Sequence, residues 1–225
     1  MANPFKRIFG FGRLPDDDND DSGKFEAVSQ WAATQGFSIM GRGEGFLLGG
    51  KVNQKSWKLE RGAASRDFIH GEELRARAEL GIGEDVTVLI INRVLKDELE
   101  QRAYQLQTRE LRSGLASKPT EEMRWLSTYT EVGWDSLPDA FWDRYAVLAD
   151  QRHHALAWID PNLANMLLDW PEPGPDARVP FILMLLRGNA YLRMQYTPSG
   201  FRTLEHAAAL YTNACESALA GLGGM

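Results

Sequence analysis

The alternation of apolar and polar residues is clearest near the C-terminal end of the chain. Apolar residues alternate with polar ones across 191–196, and a continuous apolar run precedes them at Phe181–Leu186. A period of two residues is typical of a strand with one buried face. Gly188 and Asn189, between the two runs, are typical of a two-residue turn. The pattern therefore predicts a β-hairpin.

A second hairpin is predicted in the first third of the chain. Trp57 and Leu59 alternate with charged residues in 56–61, and Gly45–Val52 reads as the strand before it. Asn53 and Gln54 would form the turn between the two strands. Two further strands are expected, over 37–40 and over the β-branched run 86–91.

Helical periodicity and helix-end signals predict seven helices. They cover 25–35, 72–80, 95–111, 139–150, 153–159, 161–169 and 199–219. Ser22 would cap the first helix and Gly36 would end it. The last helix is long and amphipathic, with an apolar stripe that includes Tyr211 and Cys215. The segment 125–132 fits either a strand or the end of a helix.

These elements predict an α+β fold: a mainly antiparallel sheet built from hairpins, packed against several helices, with a long C-terminal amphipathic helix. We expect residues 25–225 to form a single domain. The Gly, Ser and Pro residues of 112–120 mark the place where it would divide into two halves. A hairpin followed by a helix occurs twice, over 45–80 and 180–219, which raises the hypothesis of an internal duplication.

The first 24 residues differ from the rest and are predicted to be a flexible tail and acidic linker. Three basic residues lie in 1–14, and five Asp residues lie in 16–21. Phe5, Phe9 and Phe11 are candidate contacts for a protein partner. A weak contact of the same tail with a membrane surface is a further hypothesis.

Composition narrows the classes of function. The 225 residues include 25 basic and 31 acidic ones, a net charge of −6, which argues against a nucleic-acid partner. The N-terminus lacks the apolar core of a secretory signal, and no run is long enough for a transmembrane segment. One cysteine suits a reducing compartment, so we expect a cytoplasmic protein.

Candidate catalytic groups are dispersed along the chain. His70, His153, His154, Asp160 and Glu205 would form an acid–base cleft only if the fold brought them together. The helical zinc motif HExxH and the nucleotide-binding motifs GxGxxG and GxxxxGK[ST] are absent, so we expect no metal and no cofactor. Cys215, on the apolar stripe, is expected to be a core residue.

Three further features of the sequence bear on binding. The glycine-rich stretch 41–45 is expected to be a tight turn, because no helix follows it to hold a phosphate. Among seven tryptophans, Trp134 and Trp170 lie in irregular segments and could line a cleft or partner surface, whereas Trp57, Trp142 and Trp158 are expected in the core. The mixed charges of 60–79 predict a salt-bridged surface, with a polar interaction face as the alternative.

The leading hypothesis is a non-enzymatic protein-interaction domain or chaperone-like adaptor that is able to self-associate. The alternative is an enzyme or small-ligand-binding protein whose cleft contains His153, His154 and nearby acids. Whether the protein is an enzyme stays open at this stage. No motif of a named family is present. The layout is similar, in topology alone, to secretion-chaperone and helix-grip folds, and fold does not determine function.

Overall fold

The computed structural model describes residues 18–43, 45–113, 118–172, 174–197 and 200–224. For residues 18–24, 110 and 113 it describes the backbone alone. The partner-binding candidates Phe5, Phe9 and Phe11 lie outside the described residues.

Nine strands in these ranges form one antiparallel sheet. They are β1 (Ser38–Arg42), β2 (Gly45–Val52), β3 (Lys55–Ala63), β4 (Glu72–Glu79), β5 (Thr87–Asn92), β6 (Thr130–Val132), β7 (Tyr145–Ala149), β8 (Phe181–Leu186) and β9 (Asn189–Tyr196). Their order across the sheet is β1-β2-β3-β4-β9-β8-β5-β7-β6. The predicted α+β class is confirmed, and strands from both sides of the 112–120 segment share the sheet.

Seven helices in the described ranges pack on this sheet. They are α1 (Asp18–Thr34), α2 (Arg93–Ser113), α3 (Glu121–Thr128), α4 (Asp139–Arg144), α5 (Arg152–Trp158), α6 (Pro161–Leu168) and α7 (Phe201–Leu222). The long C-terminal helix is confirmed as α7. None of the helices in the described part of the chain combines the length and apolar character that crossing a membrane requires.

Both predicted hairpins form, and each has a two-residue turn with positive φ. Asn53 and Gln54 have φ of 44° and 66°, at the predicted turn. In the second hairpin Leu186 pairs with Asn189, so the turn residues are Arg187 and Gly188, with φ of 50° and 75°. That turn is one residue earlier than predicted. Positive φ at both positions matches the right-handed twist of the flanking strands.

Two predicted helices are wrong. Residues 72–80 form β4, in which Leu74, Ala76 and Ala78 are buried and alternate with charged side chains. Residues 139–150 divide into the short helix α4 and the fully buried strand β7. In both places residues with good helix propensity lie in the interior of the sheet, where pairing with distant strands outweighs the local preference.

The remaining corrections concern element boundaries. α1 begins at Asp18, so Ser22 lies inside the helix and does not cap it, while Gly36 follows the helix with φ of +71° as expected. Residues 125–132 contain both the end of α3 and strand β6. Because 72–80 is a strand, the repeated hairpin-then-helix order is wrong, and it gives no support to a duplication.

The sheet is covered unequally on its two faces. On the first face α1, α4, α5, α6 and α7 cover strands along the whole sheet, and one large core includes Leu48, Leu59, Leu183 and Leu192. On the second face α2, α3 and the connection 64–71 cover only part of the sheet. The smaller core there contains Leu89, Leu148, Ile182 and Met184, from β5, β7 and β8. Apart from Tyr191 of β9, which packs against the smaller core, the second face of β1–β4 and β9 therefore lies outside both cores.

The backbones of α7 and α5 are in close contact at Gly221. A Cβ placed on Gly221 would lie 2.0 Å from the carbonyl oxygen of Ala157. Nearby, the indole Nε1 of the fully buried Trp158 donates to the Ala214 carbonyl at 2.8 Å. Any side chain at position 221 would force the two helices apart.

We expect Gly221→Ala to lower the free energy of unfolding by about 1–3 kcal/mol, because overpacking outweighs the better helix propensity of alanine. The matched control is Gly133→Ala, where a Cβ meets nothing within 4 Å. Urea denaturation followed by tryptophan fluorescence compares the two variants. Equal stability of Gly221→Ala and the native chain would contradict the close packing of α5 and α7.

Candidate functional site

The half of the second sheet face that α2 and α3 leave uncovered is the candidate functional site, and we call it the open face. The connection 64–71 covers its end at Glu73. The strand register decides which side chains project from it, since alternate residues of each strand share a face. These residues are Ser38, Met40, Arg42, Gly45, Leu47, Gly49, Lys51, Ser56, Lys58, Glu60, Gly62, Glu73, Arg75, Arg77, Glu79, Asn189, Tyr191, Arg193 and Gln195.

The charge of the open face has the opposite sign to that of the whole chain. It carries six basic side chains, on Arg42, Lys51, Lys58, Arg75, Arg77 and Arg193, and three acidic ones, on Glu60, Glu73 and Glu79. The chain as a whole has a net charge of −6. The fold therefore concentrates basic side chains on the open face.

A groove of about 320 Å³ lies on this face, and basic groups line it beside apolar ones. Leu47, Ile182 and Met184 supply apolar surface, and Tyr191 an aromatic ring. A second cavity of about 810 Å³ lies beside the turn between β2 and β3, where Lys55 and Glu79 are among the lining residues. Lys58 and Arg77 line both cavities.

A fully buried carboxylate, that of Glu73, organises one end of the open face. Arg193 Nη1 lies 2.6 Å from Glu73 Oε1, and the backbone N–H of Ser65 donates to Glu73 Oε2 at 2.7 Å. Arg193 also donates to Ser65 Oγ at 2.7 Å, and Arg75 Nη1 lies 3.8 Å from Glu73 Oε2. Burial lowers the pKa of the Arg193 guanidinium. The adjacent negative charge of Glu73 offsets this decrease only in part. The carboxylate thus holds two strands and the connection 64–71 together.

A second ion pair links the connection 64–71 to α3. Arg66 Nε lies 2.5 Å from Oε1 of Glu122, a carboxylate that is only 2% exposed, and Arg66 Nη2 lies 3.3 Å from Glu121. Burial alone would lower the pKa of the Arg66 guanidinium. The hydrogen bond to Glu122 and the charge of Glu122 outweigh the effect of burial, so the pKa is raised. Arg75 is further paired with Glu60 at 3.1 Å. The predicted salt-bridged surface over 60–79 is confirmed, with Glu73 as its buried member.

Three of the five predicted catalytic candidates, His153, His154 and Asp160, have local side-chain partners. His154 is buried, and its Nδ1 lies 2.9 Å from Asp150 Oδ2; the ring of the exposed His153 packs on it at 4.2 Å. Asp160 caps α6, accepting from the Leu163 N–H at 2.7 Å, and its other oxygen accepts from Ser217. Among the described residues, no group of three His, Cys, Asp or Glu side chains is arranged to hold a metal ion.

The other two candidates lie elsewhere. His70 is exposed in the connection before β4, where its backbone N–H donates to Gln195. Glu205 is half-buried on α7, and the neighbouring His206 uses Nε2 to contact the Met166 carbonyl at 2.7 Å. Apart from the adjacent His153 and His154, no described contact links two of the five predicted residues.

The two candidate tryptophans pack against the large core. Trp134 is buried and meets the ring of Trp142 edge-on at 5.1 Å. Trp170 is half-buried between Phe181 and His206, and its Nε1 donates to the Tyr145 hydroxyl at 3.4 Å. Trp57 and Trp158 are buried, as expected for core residues, and Trp142 is half-buried against the core. Partner binding by Trp134 and Trp170 stays a prediction.

The basic side chains Lys58, Arg75, Arg77 and Arg193 are the site residues that the sequence analysis missed. A signal for each of them was present, because Lys58 alternates with Trp57 and Leu59, Arg75 and Arg77 with apolar residues of β4, and Arg193 with Leu192 and Met194. Arg193 lies more than 100 residues away in sequence and reaches Glu73 only through the pairing of β4 with β9.

The comparisons with known proteins add little to this geometry. No protein-family model matches the chain, and no curated protein matches it. Among solved structures, the crystal structure of the mycobacterial trehalose monomycolate transport factor A, TtfA, is similar over 87% of this chain and 94% of that chain. The sequence identity is 9% and the TM-score is 0.45. A likeness this weak carries no information about the function of this chain.

We expect Glu73→Gln to lower the free energy of unfolding by about 3 kcal/mol, because it leaves the half-buried Arg193 without its carboxylate. The matched control is Glu79→Gln, whose side chain is 78% exposed beside Arg77 and should change stability by less than about 0.5 kcal/mol. Urea denaturation gives both values. Similar effects of the two substitutions would show that the Glu73 pair does not organise this end of the sheet.

The thiol of Cys215 is expected to be unreactive in the folded protein. Burial raises its pKa to about 12, so at about pH 8 the reactive thiolate is almost absent and the reagent has no access. Labelling with a thiol-specific chromophore should therefore follow the rate of unfolding. Rapid stoichiometric labelling of the native protein would contradict the core position.

Proposed function

We propose that this chain is a non-enzymatic protein-interaction domain, of the adaptor or chaperone-like class, that binds an acidic segment of a partner protein on its open face. The observation that carries the proposal is the concentration of basic side chains on the uncovered half of the sheet, in a chain whose net charge is −6. Surfaces of complementary charge steer association and set the register of a complex.

The dimensions of the open face suit a segment of another protein. Five strands spaced about 4.8 Å apart, each rising about 3.3 Å per residue, give a surface roughly 20 Å by 25 Å. That area is close to the lower range for one side of a specific protein–protein interface. The half-buried side chains of Leu47 and Tyr191, above the buried Ile182 and Met184, supply the apolar contacts that charge alone does not.

The arrangement of charges favours an acidic protein segment over a nucleic acid. Glu60 and Glu79 are interleaved with the basic side chains, and their carboxylates would repel a continuous phosphate backbone. The acidic remainder of the chain would repel a long polyanion as well. A short segment with separated Asp or Glu residues and intervening apolar residues matches both the charges and the groove.

The alternative of a catalytic cleft has one His–Asp contact in its favour, between His154 Nδ1 and Asp150 at 2.9 Å. His154 is buried, however, and Asp160 caps a helix, so the candidate groups do not share an open cleft. Self-association stays a prediction; the outer edge of β1 pairs with no other strand in the described part of the chain, and such edges are templates for pairing with a second chain. We keep a cytoplasmic location as part of the proposal.

A synthetic acidic peptide tests the proposed surface. We expect a peptide of about 12 residues with repeating Glu-Leu-Glu-Ser to shift the backbone amide signals of β3, β4 and β9 in isotope-labelled protein, with weaker binding at higher salt as charges are screened. The matched control peptide has Gln in place of Glu and should cause little change. Shifts confined to other parts of the protein, or equal binding of both peptides, would contradict the proposal.

A further inference from the structure

Two basic side chains lie directly opposite each other at the centre of the open face. In the antiparallel pairing of β3 with β4, Lys58 is opposite Arg77, and Arg77 is in turn opposite Tyr191 of β9. The Arg77 guanidinium lies 5.8 Å from the centre of the Tyr191 ring. Like charges directly opposite each other on neighbouring strands destabilise a sheet. Because Lys58 and Arg77 repel each other, this pair lowers the stability of the free protein. A pair of opposite charges at these positions would not.

The other arginines in the middle of the open face are neutralised, and this pair is not. Arg75 is held by Glu60 and Glu73, and Arg193 by the buried Glu73. Lys58 has no ion pair with any carboxylate in the described ranges, and Arg77 pairs with Glu79 through side chains that are both more than half exposed. Two cations and one exposed carboxylate leave about one uncompensated positive charge at this position.

The surroundings leave room for an incoming group. Gly49 is opposite Lys58 on β2 and presents no side chain, and Lys58 and Arg77 line both cavities of the open face. Leu47 and Met184 border the smaller of the two cavities. An anionic group between the two cations would thus have apolar surface beside it.

We propose that Lys58 and Arg77 form the anchor for one carboxylate, an Asp or Glu side chain, of the bound segment. This inference rests on the proposed function and names the side chain that the open face recognises. A carboxylate carries a single negative charge and matches the uncompensated charge of the pair. A phosphate group, at about −1.5 to −2, would exceed it and would be repelled by Glu79. The guanidinium and ammonium groups each donate a charge-assisted hydrogen bond to the carboxylate.

The test measures peptide affinity by fluorescence anisotropy for four single variants of the full chain. We expect Lys58→Gln and Arg77→Gln each to weaken binding of the Glu-Leu-Glu-Ser peptide about three- to tenfold, because each variant loses one charge-assisted contact. The matched controls remove the same charge from exposed side chains outside the open face: Lys118→Gln for the lysine and Arg202→Gln, on α7, for the arginine. Each control should weaken binding less than about twofold.

Three outcomes overturn the anchor. In the first, Lys58→Gln and Arg77→Gln bind no more weakly than the controls while the amide shifts still lie on the open face; the proposed function then stands and the anchor is wrong. In the second, a peptide with phosphoserine in place of Glu binds more tightly through the same two residues. In the third, the peptide does not bind the open face at all, and the proposed function fails with the anchor.

Thermal unfolding of the free protein separates a binding role from a structural one. Lys58→Gln removes a contact between like charges. We therefore expect the thermal unfolding midpoint of this variant to equal or exceed that of the native chain, while its affinity for the peptide falls. Opposite effects on stability and affinity are the signature of a binding residue. A lower midpoint with proportionally lower affinity would assign Lys58 a structural role and overturn the inference.

Discussion

The pairing of the buried Glu73 carboxylate with Arg193 is the interaction on which the open face depends. It joins β4 to β9, and through the Ser65 N–H it holds the connection 64–71 against the sheet. That connection carries Arg66, whose pair with Glu122 attaches α3. A buried charge is strongly destabilising when its partner is lost, so this carboxylate fixes the position of several elements at once.

The unequal covering of the sheet explains how one fold can be stable and still leave part of a sheet face open. The large core on the first face runs under the whole sheet and supplies most of the apolar burial. The smaller core on the second face covers β5, β7 and β8 and reaches β9 at Tyr191. Strands β1–β4 and β9 are therefore supported from one side, and antiparallel strands tolerate solvent on the other. Their second face is free to carry charged side chains in fixed positions.

The class of fold and the two hairpins could be predicted because their signals are local. Alternation in 56–61 and 191–196 and the residues of the two turns lie within a few positions of one another. Residues 72–80 show where local signals fail: Glu, Leu, Arg and Ala favour a helix in isolation, yet β4 lies between β3 and β9. The open face could not be predicted either, because it depends on the neighbours of β4, and β9 is more than 100 residues away.

A nitroxide label on the peptide, next to its central Glu, tests the proposed binding of an acidic segment at Lys58 and Arg77, because paramagnetic broadening of protein amide signals reports distance. We expect the strongest broadening around Lys58, Arg77 and Tyr191, with α7, on the opposite side of the sheet, unaffected. Broadening that is strongest on α7, or uniform over the whole protein, would contradict the proposal.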